Sequence, residues 1–348
     1  MKKTEKAWLV RLLCVALSLL CMLPLASCDL AQMLPPGMLG GTGGGGAGEG
    51  EPFAPNEIPE VTKTVFEGSY RDQLNENEKA IYDAVAGAAA GEYAFTVTLA
   101  EEIALCKGRV PTEQEKDATS SRISFWITNA LYAVWLDCPR LFWMETGNYE
   151  YSYSIVPDKK GIYRVKSIEL AVEARDCAAN AALYAGRLDT TLAALSLETE
   201  SDYETVLAIN DYLCSRITYD LYAKERESVY GALVDGKCVC EGYAHAFKLL
   251  CDRFGVVCAT IIGTGYTAEG SEGHVWNAVL LDGKWYAVDV TWNDYDSWGM
   301  NNRYLLVGSK TAVFFEHFDE SHVAEYARGE SKVFASPKLN EIAYNPER

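Results

Sequence analysis

The stretch CVCEGYAHAF, residues 238–247, sets two thiols one residue apart, just ahead of a glycine and a periodic apolar run. A cysteine in such a place can be a nucleophile, a metal ligand, half of a disulfide or ordinary packing. Apolar positions 243, 247, 250, 251 and 254 make one helical stripe from Cys240 to Phe254, and Gly255 stands where a helix closes. Cys240 therefore falls in the first turn of a predicted helix. Unpaired backbone N–H groups and the positive end of the helix dipole stabilise a thiolate there and make it reactive. Cys238 lies outside that helix and lacks this assistance. Gly242 is read as keeping the neighbourhood of Cys240 unobstructed.

A reactive thiol needs a base, and the base needs an orienting group. GHVWNAVLLDGKWYAVDVTWND, residues 273–294, offers both. Its central Asp-Gly is a two-residue hairpin signal between alternating strands. Centring the turn on Asp282–Gly283 sets Trp276 opposite Asp289 and His274 opposite Thr291. His274 and Asp289 then become diagonal neighbours on one face, about 7–8 Å apart at Cα, a gap their side chains can bridge. Cys240, His274 and Asp289 follow the logic of nucleophile, base and orienter.

Other readings of the same residues are weaker. Cys238, Cys240, Cys251 and Cys258 have spacing unlike the paired knuckles of zinc sites, and Cys251 sits on the apolar stripe. His245 is expected to face solvent or neighbouring loops. His317 and His322 fall in a charged C-terminal stretch with no partner the sequence names. Trp276, Trp292 and Tyr243 suit a cleft or a core equally well. No metal and no cofactor is expected.

The segments CEGYAHAFKLL and HVWNAVLLDGKWYAVDVTWND, in that order, resemble the transglutaminase-like superfamily, in particular its exported bacterial members. The resemblance covers about residues 200–295. It implies a papain-like α+β fold, with a cysteine at a helix N-terminus packed on an antiparallel sheet that bears the histidine and aspartate. It selects Cys240 over Cys238 through the x-Gly-Tyr-Ala that follows, His274 through H-x-W-N, and Asp289 through D-x-T-W. The implied activity is thiol chemistry on amide bonds. Water attacking the acyl-enzyme gives a peptidase or amidase, an amine gives a cross-linking transamidase, and loss of turnover leaves an envelope peptide-binding module. The complete set of three residues speaks against the last. Hydrolysis is the expected outcome, because amine transfer needs a second cleft that excludes water and no motif points to one. The Cys240 backbone N–H is one candidate oxyanion donor and Tyr219 a second.

The elements that must carry these residues are legible in part. Ser201 with Glu204 forms a capping-box pattern, and Val206, Ile209, Leu213 and Ile217 follow at helical spacing. Before this lies a smaller α+β region over 61–197. It contains a predicted helix over 70–91 and a second over 120–138 that Pro139 ends. The segments YEYSYSIV and IYRVKSIELAV form a predicted hairpin about PDKKG, and an Ala-rich helix follows over about 174–195. Residues 198–348 are read as the transglutaminase-like domain with a C-terminal extension.

Residues 1–27 have basic residues, a short apolar run and small residues before Cys28, which reads as an export signal. LASC resembles the lipobox of bacterial lipoproteins, whose cysteine is acylated. Residues 28–60, rich in Gly and then Pro, behave as a flexible tether. Cleavage before Cys28 takes the net charge from −18 to −21, since the segment carries four basic residues and one acidic residue. So acidic a chain repels phosphate backbones, and no nucleic-acid partner is expected. The expected partners are a peptide or protein substrate in the cell envelope and the membrane, through the lipid anchor. Eight cysteines lie beyond Cys28, and one kept for chemistry leaves an odd number, so mostly buried free thiols are expected. Replacing Cys28 with Ala should move the protein from the membrane fraction to the medium or to an uncleaved precursor. Wild-type protein found unacylated, cut elsewhere and freely secreted would contradict the anchor.

Overall fold

The computed structural model of the chain describes residues 66, 68–197, 199–268, 270–294, 302–314, 316–325 and 334–347. The expected signal segment, Cys28 and the tether lie outside these residues.

Asn75 starts helix α1 (Glu76–Ala86), accepting the N–H groups of Asn77 and Glu78 while the Glu78 carboxylate accepts its own N–H. The helix expected over 70–91 is therefore shorter. Tyr70–Gln73 form a separate 3₁₀ turn, because the cap at Asn75 requires extended backbone. Strand β1 (Ala94–Lys107) alternates buried Phe95, Val97 and Leu99 with exposed neighbours. Thr112 caps the long helix α2 (Glu113–Asp137), which ends before Pro139. The predicted hairpin is formed by β2 (Met144–Tyr153), β3 (Val156–Pro157) and β4 (Ile162–Ala174), and β1 joins the other side of β4. Ile123, Ile127, Leu131 and Val134 of α2 are buried, and Ser120, Ser124 and Thr128 bond the hydroxyls of Tyr151 and Tyr149 on β2. The Ala-rich segment forms a 3₁₀ turn and then α3 (Ala181–Ala194).

Ser201 caps α4 (Asp202–Arg216) through the Glu204 N–H at 3.2 Å. The returning half of the expected capping box is absent, because the Glu204 carboxylate accepts the Glu200 N–H instead. Short parallel strands β5 (Thr218–Tyr219) and β6 (Lys237–Cys238) lead into α5 (Cys240–Phe254), which Gly255 closes at φ 82°. A sheet follows, made from β7 (Cys258–Thr267), β8 (Gly270–Leu281) and β9 (Lys284–Val288). After a short helix α6 (Val290–Asp294) come β10 (Leu305–Val307) and the small ribbon β11 (Ala312–Val313) with β12 (Glu316–His317). The last elements are a helical turn α7 (Phe318–Ser321) and β13 (His322–Ala324). The antiparallel order is β10-β9-β8-β7-β13, and α5 lies on this sheet. The fold is α+β. Among the described residues no helix is long and apolar enough to cross a membrane.

The β8–β9 turn is tight, with Asp282 at φ 49° and Gly283 at φ 74°, and it sets the expected register from Leu281↔Lys284 to Asn277↔Val288. The ladder stops there. Asp289 leaves it, giving its N–H to the Tyr304 carbonyl at 2.9 Å, and Thr291 lies in α6 rather than opposite His274. One buried apolar cluster runs through residues of both halves of the chain, and the Tyr70 hydroxyl donates to the Thr260 carbonyl of β7 at 2.6 Å.

Strand β13 lies so close to β7 that a Cβ on Gly263 would sit 2.2 Å from the Val323 carbonyl oxygen and 2.8 Å from Trp276. Only glycine permits that approach. Gly263→Ala should therefore destabilise the protein by about 1–3 kcal/mol through overpacking, a fall of several degrees in thermal midpoint. Gly186→Ala, at an open helical position in α3, should raise the midpoint instead. Equal melting of both variants with the wild type would contradict the packing described.

Candidate active site

Val239, with extended backbone and no side-chain cap, precedes Cys240, and the first bond closing the helix runs from the Tyr243 N–H to the Val239 carbonyl at 3.1 Å. The N–H groups of Cys240, Glu241 and Gly242 thus stand ahead of the helical ladder and can face an anion. Gly242 does more than leave room. A Cβ there would lie 2.5 Å from Cys238 Cβ and 2.6 Å from the Arg226 carbonyl oxygen, so glycine lets the start of α5 press against the strand carrying Cys238. That contact separates the two thiols. Cys238 is fully buried, and burial, then the neighbouring Cys240 and Asp294, push its pKa well above the usual thiol range. Cys240 is partly exposed.

His274 enters from β8 and Asp289 from the end of β9, and both side chains are buried. His274 Nε2 lies 2.6 Å from Asp289 Oδ2. With that nitrogen occupied, Nδ1 is the ring atom left for a thiol, and Cys240 is close enough to act on the His274 pKa. Burial alone would lower the His274 pKa. The charge and hydrogen bond of Asp289, with the Cys240 thiol, outweigh it and hold His274 up at about 10. Burial would likewise raise Asp289, but His274 and His322 hold its carboxyl well below the usual carboxylate range. The arrangement suits a charged imidazole held by an ionised orienting carboxylate beside a partly exposed thiol.

His322, for which the sequence names no partner, belongs to this group. Its Nε2 lies 3.0 Å from the same Asp289 Oδ2, and its Nδ1 lies 2.9 Å from Ser321 Oγ. Burial, opposed by the bond to Asp289 and reinforced by the charge of His274, draws its pKa down to about 4. Asp289 Oδ1 accepts the Trp292 N–H at 3.1 Å. The His274 ring stacks on Trp292 and Trp276, with centroids 5.2 and 5.9 Å away, and His322 stacks on Phe318 at 4.2 Å. Trp276 is core, whereas Trp292 is partly exposed beside the imidazole. Among the described residues, His274, Asp289 and His322 are the only group of metal-binding types with converging ligand atoms. Here those atoms are joined to one another by hydrogen bonds. The four cysteines weighed as a zinc set do not form such a group.

Two further side chains hold the parts together. Asn277, of the HVWN segment, donates from β8 to the Ala244 carbonyl of α5 at 3.1 Å and so ties helix to sheet. Asn293 donates to Asn210 of α4 and accepts the Tyr304 N–H, both at 2.9 Å. Tyr243 is buried and its hydroxyl donates to Asp294. His245 does not face solvent. It is buried against Trp135 at 4.9 Å between ring centroids, and burial pulls its pKa to about 3. Its position on the inner side of α5 follows from the N-terminal region packing there, which helical periodicity alone does not reveal. Tyr219 lies on β5, paired with Cys238, and His317 is exposed.

With this geometry in place, similarity to known proteins follows the same residues. Residues 190–290 match the family model of the Transglutaminase-like superfamily, so the chain carries a transglutaminase-like domain. It is similar to Kyphoscoliosis peptidase of Homo sapiens, 37% identical over 118 residues, which is 30% of this chain and 18% of that protein. The Mus musculus protein is 35% identical over 133 residues, 34% of this chain and 20% of its own length. The chain thus spans about a fifth of the length of these curated relatives. A crystal structure of a TGase aligns with 41% of this chain and 44% of its own, at 19% identity and a TM-score of 0.26.

The contrast between the two thiols is measurable. Iodoacetamide at neutral pH should alkylate Cys240 far faster than Cys238, and His274→Ala should slow the reaction at Cys240. Equal labelling of Cys238 and Cys240 in the folded protein would contradict the assignment of the reactive thiol.

Proposed function

We propose that the chain is an exported, membrane-anchored thiol enzyme that cleaves amide or peptide bonds through Cys240, His274 and Asp289. The observation that carries this reading is the buried 2.6 Å bond from His274 Nε2 to Asp289 Oδ2, which leaves Nδ1 for a thiol, with Cys240 partly exposed at the start of α5. The superfamily includes cysteine peptidases and transamidases, and the matched curated relatives bear the name peptidase.

In this mechanism Cys240, as thiolate, attacks the substrate carbonyl, and its former proton resides on His274. The Cys240 N–H stabilises the oxyanion at the helix N-terminus. His274 then protonates the leaving amine, which departs as the thioester forms. A water molecule, deprotonated by the now neutral His274, hydrolyses the thioester and regenerates the thiol. Asp289 keeps the ring oriented and stabilises its positive charge, without accepting the proton.

Transamidation is the second reading, favoured by the acidic net charge, which gathers amines near the surface. The two are separated by offering envelope-type peptides together with a labelled primary amine and following products by mass spectrometry. Hydrolysis should dominate at modest amine concentration. His274→Ala should lower kcat by about 10²–10⁴, and Cys240→Ala should abolish turnover. Amine incorporation outpacing hydrolysis would establish the transamidase, and tight peptide binding without product or covalent intermediate would establish a binding module.

A further inference from the structure

The shared carboxylate oxygen points to a fourth member of the site. We infer that His322 is a positioning residue, whose Nε2–H bond to Asp289 Oδ2 fixes the carboxylate that in turn orients His274 toward Cys240. This rests on the thiol-enzyme reading above and deepens it. His322 lies outside the matched residues 190–290, on a strand of the chain's C-terminal part.

Three independent features support the role. The first is hydrogen-bond saturation. Asp289 accepts from His274 at 2.6 Å, from His322 at 3.0 Å and from the Trp292 N–H at 3.1 Å, so both its oxygens are held. A carboxylate with one oxygen shared by two donors and the other capped by backbone cannot swing away from the imidazole. Removing one donor leaves the charge buried and underbonded, which frees the carboxylate to rotate.

The second is that His322 is itself held. Ser321 Oγ lies against Nδ1, Phe318 stacks on the ring with planes 14° apart, and Trp292 meets it edge-on with centroids 4.3 Å away. A neutral ring that donates through Nε2 presents a bare Nδ1, and the one Ser321 hydroxyl proton has two acceptors within reach, this Nδ1 at 2.9 Å and the Phe318 carbonyl at 3.1 Å. The tautomer is set by Asp289 itself, since a bare Nε2 facing its carboxylate oxygen at 3.0 Å would be repelled.

The third is the cost taken on to bring β13 here. His322 pairs with Gly265, Val323 with Thr264 and Ala324 with Gly263. A Cβ on Gly265 would lie 3.1 Å from Trp292 and 3.3 Å from His274 Cβ, while one on Gly263 would collide with the β13 backbone. Two glycines in one buried strand weaken it and have no local turn to make. They permit the close approach of β13 and of the His274–Trp292 stack.

The test compares His322→Phe, which keeps an aromatic ring beside Phe318 but cannot donate, with His322→Gln, whose amide can donate to Asp289. His274→Ala is the reference. The first readout is the rate of Cys240 alkylation by iodoacetamide at neutral pH, which needs no substrate. His322→Phe should slow it about 10- to 100-fold, the loss expected for a hydrogen bond to a charged group. His322→Gln should stay within a few-fold of wild type although its thermal midpoint falls. The second readout is the ¹⁵N-histidine spectrum of the wild-type protein, where His322 should be neutral, protonated at Nε2 and slow to exchange with water.

If His274→Ala slows alkylation and His322→Phe does not, His322 is dispensable and the inference fails while the thiol–imidazole reading stands. If His274→Ala leaves the rate unchanged, that reading fails and this one with it. Equal slowing in the Phe and Gln variants, in step with equal loss of stability, makes His322 a packing residue and also overturns the proposal. Should His322→Phe not fold, the Gln variant, Ser321→Ala and the wild-type spectrum decide. Ser321→Ala should slow alkylation a few-fold, and a His322 protonated at Nδ1 alone would refute the donor role.

Discussion

A negative charge with no access to water organises this structure. The Asp289 side chain is fully buried, and an isolated carboxylate in such a place would be protonated or would unfold its surroundings. It stays ionised because two imidazoles and a backbone N–H converge on it. Each donor comes from a different part of the chain: β8, α6 and β13. The carboxylate is therefore satisfied only when the hairpin, the short helix after it and the C-terminal strand are all docked. Formation of the candidate site and completion of the sheet are in this sense one event.

The nucleophile side of the site depends on that assembly through packing. Helix α5 is amphipathic and buries Tyr243, Phe247, Leu250 and Cys251. Apolar burial of this kind is strong but has no fixed register. Asn277 supplies the register, bonding the Ala244 carbonyl one turn past Cys240. Gly242 fixes the other side by letting Cys238 and the Arg226 carbonyl approach the helix. A thiol at the helix start and an imidazole on the sheet thus meet through two directional constraints laid over a non-directional one.

The N-terminal half reaches the back of the same helix. Trp135 of α2 donates to the Glu241 carboxylate at 3.0 Å and lies edge-on to His245. Burial pushes Glu241 up to about 8, with Arg175 opposing. Arg175 in turn bonds Glu145 on β2 and Glu227 ahead of the helix. The residue next to Cys240 is therefore bonded by a side chain of α2, so the N-terminal region packs against the start of α5.

Local chemistry determined much of this protein directly. The apolar period of α5, the closing Gly255, the Asp282–Gly283 turn and the β8–β9 register are properties of neighbouring residues, and they are readable without a fold. The same holds for the presence of a thiol at a helix start and of an imidazole and carboxylate near one hairpin. Tertiary structure decided what depends on distant partners. After Asp289 the chain turns into a helix, with the Asn293 N–H on the Asp289 carbonyl, and Thr291 lies in that helix. His245 is buried because α2 covers it. His322 joins Asp289 across 33 residues of chain, on a short strand whose sequence has no period of its own. Sequence spacing encodes contacts that repeat along one element. A hydrogen bond between elements depends on where whole segments pack, and the glycines that permit that packing declare their reason only when the opposing backbone is in place.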